Sequence, residues 1–409
     1  MTELIKKYNP SVYYYPAMML IYLASLISLD LIHPGIASAI LVIFTAASCF
    51  LSGKFKVLKE KNAADITMMA WIIYNLLSGI WTVAYGMPLS VYTGELFTTA
   101  VPMIFYFAAR DSEESEREMF YRYFIWAVTF IGIVGIILYI TAPKFYISYL
   151  YRLEYVSRAD VSTMRVRMHS VIGSTLMGYL PVIAMLFSEH FILKSKKKNY
   201  IVFFFINCFL AFMSNQRAAM VAAILVVIYI NYLVFFTFRI FDKKYFMAEI
   251  AGFLLIFFIL IFAFNGAFMK VYYRLVSLPG AIGQRSDQWV GAANNMANIW
   301  LGNGLGANGH RALGIQEHII ADGGLAKLYC EMGIIGTSIF IFLMILILKR
   351  AFRNLEKSSA ETGIVLVTLL VSIGSNMMSF ALAVPVLYYA IGAITKNDAR
   401  HLKTLFDRA

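Results

Sequence analysis

The sequence predicts an all-α, polytopic membrane protein of about twelve transmembrane helices, and three observations carry that expectation. Of its 409 residues, 60% are hydrophobic and only 14% are charged, far from the usage of a soluble domain. Apolar runs long enough to cross a hydrocarbon core of about 30 Å recur along the chain. Lysine collects in every second connection, the asymmetry that orients helices in a bilayer.

The first run, near residues 12–30, follows Lys6 and Lys7 but has no small-residue cleavage site, and a second run at 35–52 comes directly after it. It is therefore expected to stay attached as a helix rather than to be removed as a signal peptide. Further spans are expected near 64–84, 90–109, 120–141, 170–189, 200–214, 218–238, 246–264, 323–348, 362–378 and 380–395. The segments KFKVLKEK, RDSEESEREMFYR, LKSKKKN, FRIFDKK and KRAFRNLEK join them on one side, which is expected to be cytoplasmic together with both termini. The result is a single membrane domain, residues 1–409, with two long extracytoplasmic loops at 142–170 and 265–322.

The charged runs after Arg110 and around Lys196 read as solvated topology signals. The net charge of +12 follows from these lysines and from attraction to membrane lipid, without a nucleic-acid partner. Cys49, Cys208 and Cys330 fall far apart within apolar runs, so they are expected to be small core residues and not a disulfide framework.

On the outward side the bias reverses, with arginine outnumbering lysine: Arg152, Arg158, Arg165, Arg167, Arg217, Arg274, Arg285 and Arg311. A planar fork of donors suits pairs of phosphate oxygens, so an external phosphate or pyrophosphate site is expected. The alternative is that these side chains snorkel to lipid headgroups without selecting a ligand. Arg217 fits that alternative least, because its SNQR turn is too short to leave the membrane surface and a charge so near hydrocarbon needs a partner. In the first loop, Arg152, Arg158, Arg165 and Arg167 would repel one another unless an anion, or Glu154 and Asp160, lies among them.

In the second loop, Trp289, Ala293, Met296 and Trp300 fall on one face of a helix, expected to lie flat at the membrane interface. Gly302, Gly304, Gly306 and Gly309 follow, where the backbone can take positive φ and turn successive amides toward a ligand. The run is neither a P-loop nor a dinucleotide fingerprint. No Asp-x-Asp pair and no His or Cys cluster has ligand spacing on this side, so neither a metal nor a cofactor is expected.

At these residues the chain resembles the Wzy-type O-antigen and capsular polysaccharide polymerases and the related O-antigen ligases of bacterial inner membranes. Three pieces carry the resemblance. One is a Ser-x-x-Arg turn, Ser214 to Arg217; another is Arg167 ahead of MHSVIGSTLMG. The third is the run Gly302 to Gly306 followed, after a polar spacer, by Glu331, Gly333 and Gly336. Asp322 and Gly323 stand where the ligases carry a His-Asn pair, which resembles a polymerase more than a ligase.

The resemblance implies a GT-C-like fold and a glycosyltransferase that acts on the periplasmic face of the bacterial inner membrane. It would move a growing glycan from an undecaprenyl diphosphate carrier onto a second lipid-linked repeat unit, with a chain-length regulator protein as a further partner. Two needs follow. Arg167, Arg217 and Arg285, with Arg165, Arg274 and Arg311, would neutralise the departing diphosphate. Asp322, His318 or His310 would take the proton of the acceptor hydroxyl, three rivals of which Asp322 stands first at the mouth of the tenth span. Glu331, inside that span, is expected to be held by a partner such as an arginine. The alternatives are an O-antigen ligase that transfers glycan to lipid A core and, from a different class, a flippase or transporter of lipid-linked oligosaccharide.

Overall fold

The computed structural model describes residues 9–27, 34–51, 62–153, 167–240, 243–263 and 267–406, and among them every regular element is helical. In chain order the α-helices are α1 (Tyr14–Ser25), α2 (Pro34–Leu51), α3 (Ala63–Ala84), α4 (Leu89–Thr99), α5 (Ile104–Arg110), α6 (Glu114–Thr141), α7 (Lys144–Arg152) and α8 (Ser174–Leu193). They continue as α9 (Tyr200–Met213), α10 (Arg217–Tyr232), α11 (Lys243–Phe258), α12 (Ala267–Val276), α13 (Leu278–Asn294), α14 (Gly324–Arg353), α15 (Ser359–Gly374) and α16 (Val384–Phe406). Among the described residues, five helices are long and apolar enough to cross a membrane: α3, α6, α8, α14, and α10 with the π-turn that extends it to Thr237. Shorter apolar helices occupy the expected spans at 35–52, 200–214, 246–264, 362–378 and 380–395.

The expected span at 90–109 is broken. Pro102 has no N–H to give and sits in a 3-10 turn, Val101–Met103, which separates α4 from α5. The helix expected through Trp300 ends earlier, at Asn294. Four residues on, the Asn298 side chain accepts from the amides of Trp300 (2.8 Å) and Leu301 (3.1 Å), an Asx turn in place of a further helical turn. Trp289, Ala293 and Met296 pack on Ala292, Ile320 and Cys330, so this face is covered by protein, while Trp300 is exposed.

The chain divides into two compact units. The first comprises Met1–Ser11, Ser38–Arg117 and Gly280–Ala409. In it α3 packs on α14, α5 on α16, and α15 on both α14 and α16. Asn62 opens α3 with a capping box, its side chain accepting from the amides of Ala64 and Asp65 while the Asp65 carboxylate accepts from the Asn62 amide. Buried Asp65 also takes the Tyr106 hydroxyl at 2.5 Å and lies 3.4 Å from Arg110 Nε, which fastens α5 to the start of α3.

The second unit comprises Val12–Ala37 and Glu118–Pro279. Its centre is α8, nearly all of whose residues are buried, against α9 and α10. Gly178 allows that approach, because a Cβ there would strike Ala219 and Ser214.

Candidate functional site

The site in the first unit is built around a break in α14. Gly333 has φ 61° and ψ −169°, a conformation that glycine adopts without a steric penalty and that interrupts the helix. Two helical hydrogen bonds are lost, from Ile334 to Cys330 and from Ile335 to Glu331. The segment 299–304 supplies all four partners. The amides of Asn303 and Gly304 donate to the carbonyls of Cys330 and Glu331 (both 2.8 Å), and those of Ile334 and Ile335 donate to the carbonyls of Ile299 and Trp300 (3.0 and 3.1 Å). Tyr74 on α3 donates its hydroxyl to the Met332 carbonyl at 2.7 Å. Backbone at this depth in an apolar helix is tolerable only when protein satisfies it, and here protein does.

The glycine run therefore has a different task from the one expected. Its amides are used inside the protein, and its glycines serve close packing. A Cβ at Gly302 would collide with the Glu331 carbonyl, and one at Gly304 with Thr82; both residues have positive φ, 77° and 89°. The pattern Glu331, Gly333, Gly336 is the other half of the same joint, with Gly336 seated against Tyr74.

Beneath the joint lies a buried charge network. Lys327 Nζ donates to Glu95 Oε1 (2.5 Å) and to Ser379 Oγ (2.7 Å). Glu331 Oε1 lies 3.6 Å from the same Nζ and accepts from the Asn308 amide at 3.1 Å. Glu95 Oε2 is 3.6 Å from Arg311 Nε, and the Arg311 side chain reaches solvent. Two carboxylates thus face two cations, and the Lys327 side chain is only 4% exposed. Glu331 is held as expected, but by a lysine and a backbone amide rather than by an arginine.

At the mouth of α14, Arg285 Nη2 donates to Asp322 Oδ2 at 2.6 Å. This pair is open, with the Asp322 side chain 46% exposed. Asp322 is fixed through its backbone: Trp289 Nε1 donates to its carbonyl (2.8 Å), and Asn376 Nδ2 donates to the carbonyls of Ile320 and Ala321 (both 3.0 Å). Asp322 does not cap α14; the N-cap is Gly323 and no side chain caps the helix. His318 is half-buried, its carbonyl held by Asn308 Nδ2 at 2.9 Å, whereas His310 is exposed on a 3-10 turn, His310–Ala312. The structure thus joins Arg285 with Asp322, and Arg311 with Glu95, pairs in which each arginine already faces a carboxylate.

The second unit gathers the other two motifs. The Met168 amide donates to the Met213 carbonyl at 3.2 Å, and Gln216 Nε2 donates to Ser174 Oγ at 2.7 Å, so the segment after Arg167 lies against the Ser214–Arg217 turn. Tyr146 and Tyr149 on α7 donate to the carbonyls of Ser170 and Val171 (2.8 and 2.9 Å) and fix that segment from the other side. Arg217 donates through Nε to the Arg274 carbonyl (3.2 Å) and through Nη2 to Ser277 Oγ (2.9 Å). Both acceptors are neutral, and no carboxylate pairs with Arg217 among the described residues. His169 Nδ1 lies 3.1 Å from the Arg167 carbonyl, which can only accept, so Nδ1 carries the proton. Burial, with Arg167 beside it, pushes the His169 imidazole down to about 4. Arg165, Arg158, Glu154 and Asp160 lie outside the described residues.

Sequence reasoning gave Lys327 no role, and it read Glu95 only as a buried polar residue suited to a transport path. The available signal was a lysine and a glutamate four residues apart inside an apolar run. No protein-family model matches this sequence, and no curated protein is matched by it.

Proposed function

We propose that this chain is a glycosyltransferase of the bacterial inner membrane, GT-C-like with about twelve spans, that polymerises undecaprenyl-diphosphate-linked oligosaccharide repeat units on the extracytoplasmic face. The observation that carries the reading is the Arg285–Asp322 pair, an accessible carboxylate and guanidinium 2.6 Å apart at the head of a membrane-length helix. Such a pair offers a proton acceptor beside a fork that suits phosphate oxygens. Asp322 is assigned to the acceptor hydroxyl, with His318 as the nearer rival and His310 as the further one. Arg217, whose charge rests on neutral oxygens, is proposed for the diphosphate, with Arg167 and Arg274 of the same unit proposed to support it; Arg285 and Arg311 are proposed for phosphate contacts within the first unit.

The buried network of Glu95, Lys327 and Glu331 favours a second reading, because ionisable groups inside membrane helices often mark a transport path. One experiment separates the two. Purified protein is given a synthetic polyprenyl-diphosphate repeat unit without nucleotide sugar or metal, and a ladder of glycans is expected. Asp322→Asn and Arg217→Lys should each lower its rate by about a hundredfold. Wild-type rates in both variants would remove these residues from the site. No elongated product, together with passage of the same lipid across vesicle membranes, would replace the polymerase with a transporter.

A further inference from the structure

The face expected to lie at the membrane interface, around Trp289, is covered by protein, but a helix of the second unit carries an apolar face that is not. On α12, Met269, Tyr272, Tyr273 and Val276 fall at i, i+3, i+4 and i+7, one stripe down the helix. Each of the four is between 46% and 63% exposed, whereas Arg274 and Leu275 on the other flank are half-buried. A helix bathed in water does the reverse, hiding its stripe and showing its charge.

Length and attachment narrow what can cover the stripe. Ten residues reach about 15 Å, half of a hydrocarbon core of about 30 Å, so α12 cannot cross a bilayer. It packs on α10 and on the π-turn Ile259–Ala263 that follows α11. At its C-terminal end the Arg274 carbonyl and Ser277 Oγ take the two hydrogen bonds of Arg217, which is the first residue of α10. Because α10 with its own π-turn has membrane length, that first residue stands where hydrocarbon gives way to headgroups. α12 is fastened at the same depth.

Residue type agrees with that depth. Tyrosine, with an apolar ring and a hydroxyl that seeks water, is enriched at the boundary between lipid and water, and α12 carries two in succession. The chain that leads into α12 is lipid-facing in character as well: Phe258 and Phe262 stack on each other and both are exposed.

We infer that α12 is an interfacial helix, lying flat in the leaflet that meets the Arg217 end of α10, with phospholipid as the partner of its stripe. Acyl chains cover Met269 and Val276, and the hydroxyls of Tyr272 and Tyr273 reach the headgroup oxygens. Through its C-terminal contacts the helix holds the Arg217 guanidinium level with the headgroup phosphates. This surface goes beyond the reaction proposed above and does not rest on it.

The test uses the full chain in phosphatidylcholine nanodiscs with a nitroxide label on Tyr273→Cys. Cys49, Cys208 and Cys330 are buried, so the unsubstituted chain serves as the labelling blank. Ile228→Cys, on the exposed side of α10, supplies the signal of a site in lipid, and Lys198→Cys, in the turn between α8 and α9, that of a site in water. Oxygen concentrates in hydrocarbon, whereas a nickel chelate stays in water. At Tyr273→Cys oxygen is expected to relax the label more than the chelate does, as at Ile228→Cys, with the order reversed at Lys198→Cys. Met269→Cys reads the same stripe should the first variant fail to assemble. Chelate relaxation at the level of Lys198→Cys would put the stripe in water, and protection from both reagents would put it under protein, a second copy included; either result overturns the inference. Neither result depends on whether a glycan ladder forms.

Discussion

Arg285 and Arg217 make a useful comparison, because the sequence offers them as equals and the structure does not treat them so. In the first unit, cations stand against carboxylates: Arg285 on Asp322, Arg311 on Glu95, and Lys327 between Glu95 and Glu331. In the second, Arg217 rests on a carbonyl and a hydroxyl, and nearby His169 is kept neutral by burial and by Arg167. Arg285 is compensated by a carboxylate, whereas among the described residues Arg217 is not. An anion therefore meets less competing negative charge at the Arg217 turn than at the Arg285 pair.

The largest effect that would break this comparison is expected at Lys327. Replacing it with Met strands two buried carboxylates, so stability should fall by about 3–5 kcal/mol, read as the midpoint of thermal unfolding in detergent. A small loss would mean that Glu95 and Glu331 do not depend on the lysine for their charge.

His169 comes next, and the sign is fixed by its lowered value. A free imidazole titrates near 6.5, so below that pH the unfolded chain takes up a proton that the folded protein refuses until about 4. The contribution is complete above about 6.5 and is lost as pH falls toward 4, amounting there to about 3 kcal/mol. His169→Asn should flatten the stability curve across this range. An unchanged slope would place the acid sensitivity elsewhere.

The smallest effect on stability is expected at the open pair. Asp322→Asn should change unfolding by less than about 1 kcal/mol, since the pair is partly open to solvent, the Asp322 side chain most of all. Its large effect should be on turnover alone. A variant that unfolds readily would turn the mouth of α14 into a structural feature and weaken the contrast with Lys327.

The all-helical character was legible in the sequence because each apolar run must bury or face lipid over its whole length, but among the described residues five helices reach membrane length and the expected span at 90–109 is split at Pro102. Trp300 misled because side-chain periodicity continued past Asn294, whereas the Asn298 side chain had already redirected the backbone. Asp322 and Arg285 were both legible as polar residues near a helix head, but their pairing spans 37 positions and has no local signature. Lys327 was hidden for the same reason, since Glu95 lies 232 residues away. The glycines showed that the backbone does something unusual, and only the break at Gly333 reveals that they plug a helix rather than cradle a ligand.

That plug sets an order on biogenesis. The segment 299–304 leaves the ribosome about 30 residues ahead of the break it fills, a loop short enough to close readily. The backbone groups freed at Gly333 can therefore find their partners as soon as α14 is synthesised. Lys327 and Glu331 arrive in that same stretch, and Glu95, the partner that Lys327 holds in the folded protein, has by then been translated far upstream.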